Sequence, residues 1–119
     1  MNSASDTDTI FAKIIRREIP ADIVFETQSV LAFRDIAPQA PFHVLVIPKK
    51  PLVNIDSAQT EDKELLGELL LAVNQIAKKF ELESSGYRVV INNGKGAGQV
   101  VFHLHLHILS KRSFKWPPG

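Results

Sequence analysis

The chain contains no cysteine. That excludes disulfides, cysteine-ligated zinc, iron–sulfur clusters and thiol nucleophiles together. Long apolar runs are also missing: no stretch approaches the roughly 18 to 20 residues that span a bilayer. Neither sign of charge dominates, since 14 Lys and Arg stand against 13 Asp and Glu. On bulk charge, neither a nucleic acid nor a membrane surface is an expected partner. The first eight residues are polar and acidic. They have neither the basic start and apolar run of a secretory signal nor the Arg of a transit peptide. They are expected to form a flexible tail, residues 1–8, ahead of a single domain at 9–119. A soluble, cytoplasmic location is the default expectation. At 119 residues and 45% hydrophobic content, one core can form without covalent staples.

Histidine is scarce as well, with four in all, yet three lie within five residues. Their setting follows from the pattern along the chain. Thr9 is suited to cap a short helix carrying Ile10, Phe11, Ile14 and Ile15, and Pro20 is expected to end it. The β-rich runs 23–26 and 30–34 flank Thr27-Gln28-Ser29 and read as a hairpin. A buried strand at 42–47 stops at Pro48. A long helix is expected over 61–80, capped by Thr60. Its apolar stripe is Leu65, Leu66, Leu69, Leu70, Val73, Ile76, Ala77 and Phe80. A fourth strand at 87–92, a glycine-rich turn at 92–98 and a fifth strand at 101–109 complete the chain. This is an α+β pattern: five strands in an antiparallel sheet with one long and one short helix. The long helix can cover one face. The other face needs loops, the short helix or a partner.

In a strand, side chains alternate between faces. The run His103-Leu104-His105-Leu106-His107-Ile108-Leu109 therefore puts three imidazoles on one face and Leu104, Leu106 and Ile108 on the other. Three readings of that face remain open. It is a solvated, His-rich edge. It is a zinc site, which would use two of these His plus His43 or a carboxylate. The outer two are roughly 13.6 Å apart along a strand, while a ligand nitrogen lies about 2.1 Å from zinc. Or it is a nucleophilic centre, since a neutral imidazole attacks phosphorus near neutral pH while its neighbours set its tautomer and move a proton. The turn Gly94-Lys95-Gly96-Ala97-Gly98 leads into this run, and its bare N–H groups are suited to phosphate oxygens. A strand follows it where a dinucleotide-binding fingerprint requires a helix.

The run His103 to Leu109 resembles the signature of the histidine triad (HIT) family, His-φ-His-φ-His-φ-φ. Further stretches are similar to its histidine-triad nucleotide-binding branch, the purine nucleoside phosphoramidases. They are Asp8-Thr9-Ile10-Phe11 onward to Pro20-Ala21, Asp35-Ile36-Ala37-Pro38-Gln39-Ala40-Pro41 leading to His43, Ile47-Pro48-Lys49-Lys50, and Trp116-Pro117-Pro118-Gly119. The resemblance implies a homodimer whose two sheets join into ten strands. It implies hydrolysis of the P–N bond of adenosine or guanosine 5′-phosphoramidates, including nucleotidyl-lysine conjugates, without metal or cofactor. The nucleophile would be His105, forming a nucleotidyl-histidine intermediate. The His103 carbonyl would take the proton on its other ring nitrogen, His107 would contact the α-phosphate, and His43 would support the network. Asp35 would bind ribose, with Ile36 beside the base pocket that Ile10, Phe11, Phe33 and Leu45 would wall. Asn92, Gly98 and Gln99 match positions near ribose and phosphate. Trp116 would reach the partner's site. Bland counterparts stand beside these: the apolar residues as core, Asp35 as a turn residue, Asn92 as a turn amide, His43 as a buried satisfied His, and Trp116 as a frayed end. A dinucleoside polyphosphate hydrolase and a nucleotide-binding regulatory module are the alternatives in function. The sequence departs from the family at Val100, where Ser or Thr is usual. A hydroxyl donor near the leaving group is lost, although the backbone N–H remains.

Overall fold

The computed structural model describes residues 8–119. The expected tail lies, apart from Asp8, outside the described residues. The elements are α1 (Ile10–Ile15), β1 (Ile23–Glu26), β2 (Val30–Arg34), β3 (Phe42–Pro48), α2 (Lys63–Lys79), β4 (Tyr87–Val90) and β5 (Leu106–Ser110), with short 3-10 turns at Ile55–Ser57, Thr60–Asp62 and Lys95–Ala97. All five strands form one antiparallel sheet in the order β1-β2-β3-β5-β4. No helix among the described residues is long and apolar enough to cross a membrane.

The central strands β2 and β3 are largely apolar on both faces because both faces are covered. On β2 and β3, Val30, Ala32, Val44 and Val46 join Leu69, Val73 and Ile76 of α2 in the main core. Leu31, Phe33, Leu45 and Ile47 point the other way and pack with Phe11 and Ile14 of α1 in a smaller cluster. The period-2 alternation thus sorts each strand between two layers. It also puts His43, at an odd position of β3, on the α1 side. There the neighbouring β5 pairs His107 with Leu45. The histidines therefore lie on the more thinly covered side of the sheet.

Several expected boundaries move, each for a visible reason. Thr9 caps α1 through the Ala12 N–H, as its position suggests. The helix ends at Ile15, well before Pro20, because Arg17 turns into the left-handed region at φ 63°. Thr60 does not cap α2. Asp62 precedes the helix with its carboxylate already held by Lys50 at 2.6 Å and the Gln59 N–H at 2.8 Å, and the chain tightens into a 3-10 turn there. Leu70 leaves the expected stripe, 59% exposed, and Ala72 takes a buried place instead. β4 stops at Val90, so Asn92 lies beyond it.

The fifth strand begins at Leu106 rather than at residue 101. Its ladder with β3 pairs Val46 with Leu106, and two positions further on the same register would set Pro48 against Leu104. Proline has no N–H to give, and the ladder stops. The Leu104 N–H bonds instead to Leu52 O at 2.7 Å. The triad therefore straddles a strand end: His107 is inside β5, while His103 and His105 precede it. The two-face alternation still holds, with Leu104, Leu106 and Ile108 in the main core.

Candidate active site

Each histidine is placed by a backbone feature of the sheet. His103 donates from Nε2 to the Pro48 carbonyl at 2.7 Å, the end of β3. His105 donates from Nδ1 to the His103 carbonyl at 2.7 Å. A carbonyl can only accept, so both bonds identify the nitrogen that carries the proton. In neutral His105 that leaves Nε2 as a bare lone pair. Phe11 of α1 packs edge-on against the His105 ring, centroids 5.0 Å apart, and lies 6.2 Å from that of His103. The His107 ring stands 5.0 Å from His105 and 5.1 Å from His43. His43 Nε2 and His107 Nδ1 are 2.9 Å apart.

All four imidazoles are held below their ordinary pKa, and burial is the leading cause for each. His107 is pushed down to about 4, with its histidine neighbours adding to the burial effect. The cluster is neutral at pH 7, the state in which an imidazole nitrogen is a nucleophile. One polar atom is left over: His107 Nε2 is buried and has no hydrogen-bond partner. Buried polar atoms are rarely left so, and an unpaired one beside a cavity suits a ligand.

His105 and His107 edge a cavity of about 300 Å³. Ile10, Phe11, Phe33 and Leu45 form its apolar wall, and Asp35, Ile36 and Val100 stand at its margin. Ile36 is 96% exposed and Val100 81%, so both are rim rather than wall. Two larger hollows, of about 350 and 680 Å³, lie beside α2 and along the C-terminal segment, and neither is lined by a histidine. The structure thus brings nine of the sequence-derived residues around one space: Ile10, Phe11, Phe33, Asp35, Ile36, Leu45, Val100, His105 and His107.

The others fall elsewhere. His43 and Asn92 line a second cavity of about 240 Å³ that shares His107 with the first and adds Arg88 and Arg112. Gln99 is buried with its amide fully engaged. It accepts from the Gly94 N–H at 2.8 Å and donates to Val53 O at 2.7 Å and Val101 O at 3.2 Å. Its side chain is a clamp that closes the glycine turn. Gly98 beside it sits at φ 93°, where a side chain would be strained. Trp116 is 83% exposed and lines neither cavity. Sequence reasoning did not assign Ile14, Ile19 or Val101 to the cavity wall, although all three line it. Ile14 carried the signal, since it shares the helical stripe with Ile10 and Phe11.

Among the described residues one group has ligand atoms close enough for a metal ion: Asp35, His43 and His107, within 4.8 Å of one another. Only one triad histidine takes part, against the two that the zinc reading requires. His43 Nε2 and His107 Nδ1 also face each other in a hydrogen bond, which accounts for the approach of the two rings.

The family model for the HIT domain matches residues 16–114. The chain belongs to the HIT domain family. An uncharacterized HIT-like protein of Synechococcus elongatus is 61% identical over 112 residues, covering 94% of this chain and 97% of its own length. Among solved structures, a HIT family hydrolase from Legionella pneumophila is 47% identical with a TM-score of 0.91, over 94% of this chain and all of that one. A histidine triad nucleotide-binding protein from Candida albicans is 33% identical with a TM-score of 0.81, over 94% and 85%. For a HIT domain, the layout is complete in the described residues: five strands, one long helix, and the His run at the start of the strand between β3 and β4.

Proposed function

We propose that this HIT domain is a nucleoside phosphoramidase of the nucleotide-binding branch. It cleaves the P–N bond of adenosine or guanosine 5′-monophosphoramidates and nucleotidyl-lysine conjugates. The observation that carries the reading is the His105 geometry. Its Nδ1 proton is spent on the His103 carbonyl, and the ring edges an apolar cavity beside the buried, unpartnered Nε2 of His107.

In this reading the purine lies against Ile10, Phe11, Phe33 and Leu45, and Asp35 takes the ribose hydroxyls. Ile36 lies beside the base, and Asn92, Gly98 and the Gln99 and Val100 main chain flank ribose and phosphate. His105 Nε2 forms a bond to phosphorus while the P–N bond to the amine breaks with its electron pair. The departing nitrogen takes a proton from solvent as it leaves, since Val100 offers no hydroxyl, and the water that attacks in the second step returns a proton to solvent. His107 Nε2 hydrogen-bonds a phosphate oxygen and stabilises the charge that builds there. Water then attacks phosphorus, the P–His105 bond breaks, and a nucleoside monophosphate and neutral His105 are regenerated. No step calls on a metal or cofactor. Two copies would join their sheets into ten strands, with Trp116 of each reaching the other's site, in a soluble, cytoplasmic enzyme. The relatives described as a HIT family hydrolase and a nucleotide-binding protein support the class.

The test is incubation of the protein and a His105→Ala variant with an adenosine phosphoramidate and with a diadenosine polyphosphate. AMP release from the first, slow from the second and absent in the variant, is the expected result. Preference for the polyphosphate would favour the related dinucleoside polyphosphate hydrolase, and full activity of the variant would remove His105 as nucleophile. Val100 specifically favours a second reading, a regulatory nucleotide-binding module with slow turnover, because it offers no hydroxyl to the leaving group. Tight nucleotide binding with negligible hydrolysis would support that one.

A further inference from the structure

The proton on His107 decides what its buried Nε2 presents to a ligand: an N–H donor or a lone pair. The structure determines which, starting from a group outside the triad. The main-chain N–H of Gln39 donates to His43 Nδ1 at 3.0 Å. His43 Nδ1 is therefore an acceptor, and neutral His43 must carry its proton on Nε2. That nitrogen lies 2.9 Å from His107 Nδ1. With His43 donating, His107 Nδ1 is an acceptor in turn. Neutral His107 must then carry its proton on Nε2, the atom left without a partner.

We propose that the Gln39 main-chain N–H is a positioning group that locks His43, and through it His107, as neutral imidazoles with the proton on Nε2. The lock works against the second proton as well. A proton added at His43 Nδ1 would meet the Gln39 N–H, and one added at His107 Nδ1 would meet the His43 Nε2–H. Either would set donor against donor in a buried place. Gln39 itself is held from both sides. Its carbonyl accepts from Arg112 Nε at 2.9 Å, and its side-chain amide donates to Ala37 O at 3.0 Å. The Ala37 N–H in turn donates to Asp35 Oδ1 at 2.8 Å. The turn between β2 and β3 thus holds the N–H that sets the proton two rings away.

The titratable and charged groups facing His107 are His43 from β3, Asp35 from the turn, His105 before β5, and Arg88 and Arg112 across the second cavity. Asp35 Oδ2 lies 3.5 Å from His43 Nε2 and competes for the same proton. The hydrogen bond to His107 is shorter and keeps it. His105 contributes no proton there, since its Nδ1–H is committed to the His103 carbonyl.

The catalytic use of the His107 donor rests on the phosphoramidase reading, but the tautomers do not. The experiment is the imidazole 15N–1H correlation spectrum of the 15N-labelled full chain across pH 7 to 5. A proton on Nε2 and a bare Nδ1 are expected at both His43 and His107 throughout. A proton on Nδ1 of either residue overturns the inference. Two variants extend the test. In His43→Asn the amide reaches Gln39 but not His107, so His107 Nδ1 is free to take a proton. The His107 pKa is expected to rise by about one pH unit, the size of one ordinary hydrogen bond. In His43→Gln the amide N–H takes the place of Nε2, and the low value is expected to return. An unchanged His107 titration in His43→Asn overturns the lock. Correct tautomers in a protein that does not hydrolyse phosphoramidates would strike the proposed function alone, and wrong tautomers in an active enzyme would strike this inference alone.

Discussion

Acidification from pH 7 to pH 5 is expected to destabilise the domain through its histidine cluster. His107 has a pKa of about 4 in the folded chain against an ordinary value of 6.5. Between those values the unfolded chain binds a proton that the folded chain refuses. Stability from this group is therefore complete above pH 6.5 and is lost as the pH falls towards 4. At pH 5 an unfolded imidazole is almost fully protonated while the folded one is almost wholly neutral. The gap of 1.5 pH units below 6.5, at about 1.36 kcal/mol per unit, gives a loss of about 2 kcal/mol. His43, His103 and His105 are depressed for the same reason, burial, and act in the same direction. Against a domain stability of about 5 to 15 kcal/mol the effect is large. The ion-paired carboxylates fall outside this window. Glu26, held low by Lys49 and Arg17, and Asp62, held low by Lys50, have ordinary values of 4.5 and 3.8, so their contributions are lost below pH 5. Urea unfolding at pH 7, 6 and 5 reads the effect, with His107→Gln as the comparison. The variant is expected to lose about 2 kcal/mol of the pH dependence over this interval. Equal stability of the parent chain at pH 7 and pH 5 would refute the picture of a buried, neutral cluster.

Three further outcomes follow from the site. Val100→Ser restores a hydroxyl at the rim of the cavity, where Val100 is exposed. It is expected to raise kcat/KM on a phosphoramidate by about tenfold, the low end of a hydrogen bond to a charged group, and no gain would remove the leaving-group role of this position. Asp35→Asn removes the charge expected to accept from ribose and is expected to raise KM by about tenfold for a ribonucleoside substrate but little for its 2′,3′-dideoxy analogue. Equal changes for the two in competition assays would take Asp35 away from the sugar. Gln99→Ala leaves the Gly94 N–H and Val53 O without their buried partner and is expected to cost about 2 kcal/mol in urea unfolding, with faster hydrogen exchange in the glycine turn. Unchanged exchange there would show that the clamp does not hold the loop.

Periodicity carried most of what the sequence could reveal, because alternation is a local property of the backbone. His103, Leu104, His105, Leu106, His107 and Ile108 sort onto two faces whether or not a neighbour pairs with them. The ends of elements depend on partners and were less legible. Pro48 was readable as the stop of β3, but its effect on β5 required the register, which places Leu104 opposite it. Asp62 likewise became the start of α2 through Lys50, a residue twelve positions away. Composition could not separate binding from clamping in the glycine turn. Gln99 matches a family position near phosphate, yet its side chain is spent inside the loop, and so is its main-chain N–H, which donates to Gly94 O at 3.1 Å. His43 was legible only as a supporting histidine, since nothing in a sequence shows which ring nitrogen meets a backbone N–H. The same limit holds for Gln39. Its side chain touches no histidine and only helps to hold the turn, and its contribution to the network is an N–H that every residue but proline possesses. A group that acts through its main chain leaves no mark in residue identity, so only the geometry of the β2–β3 turn connects it to the proton on His107.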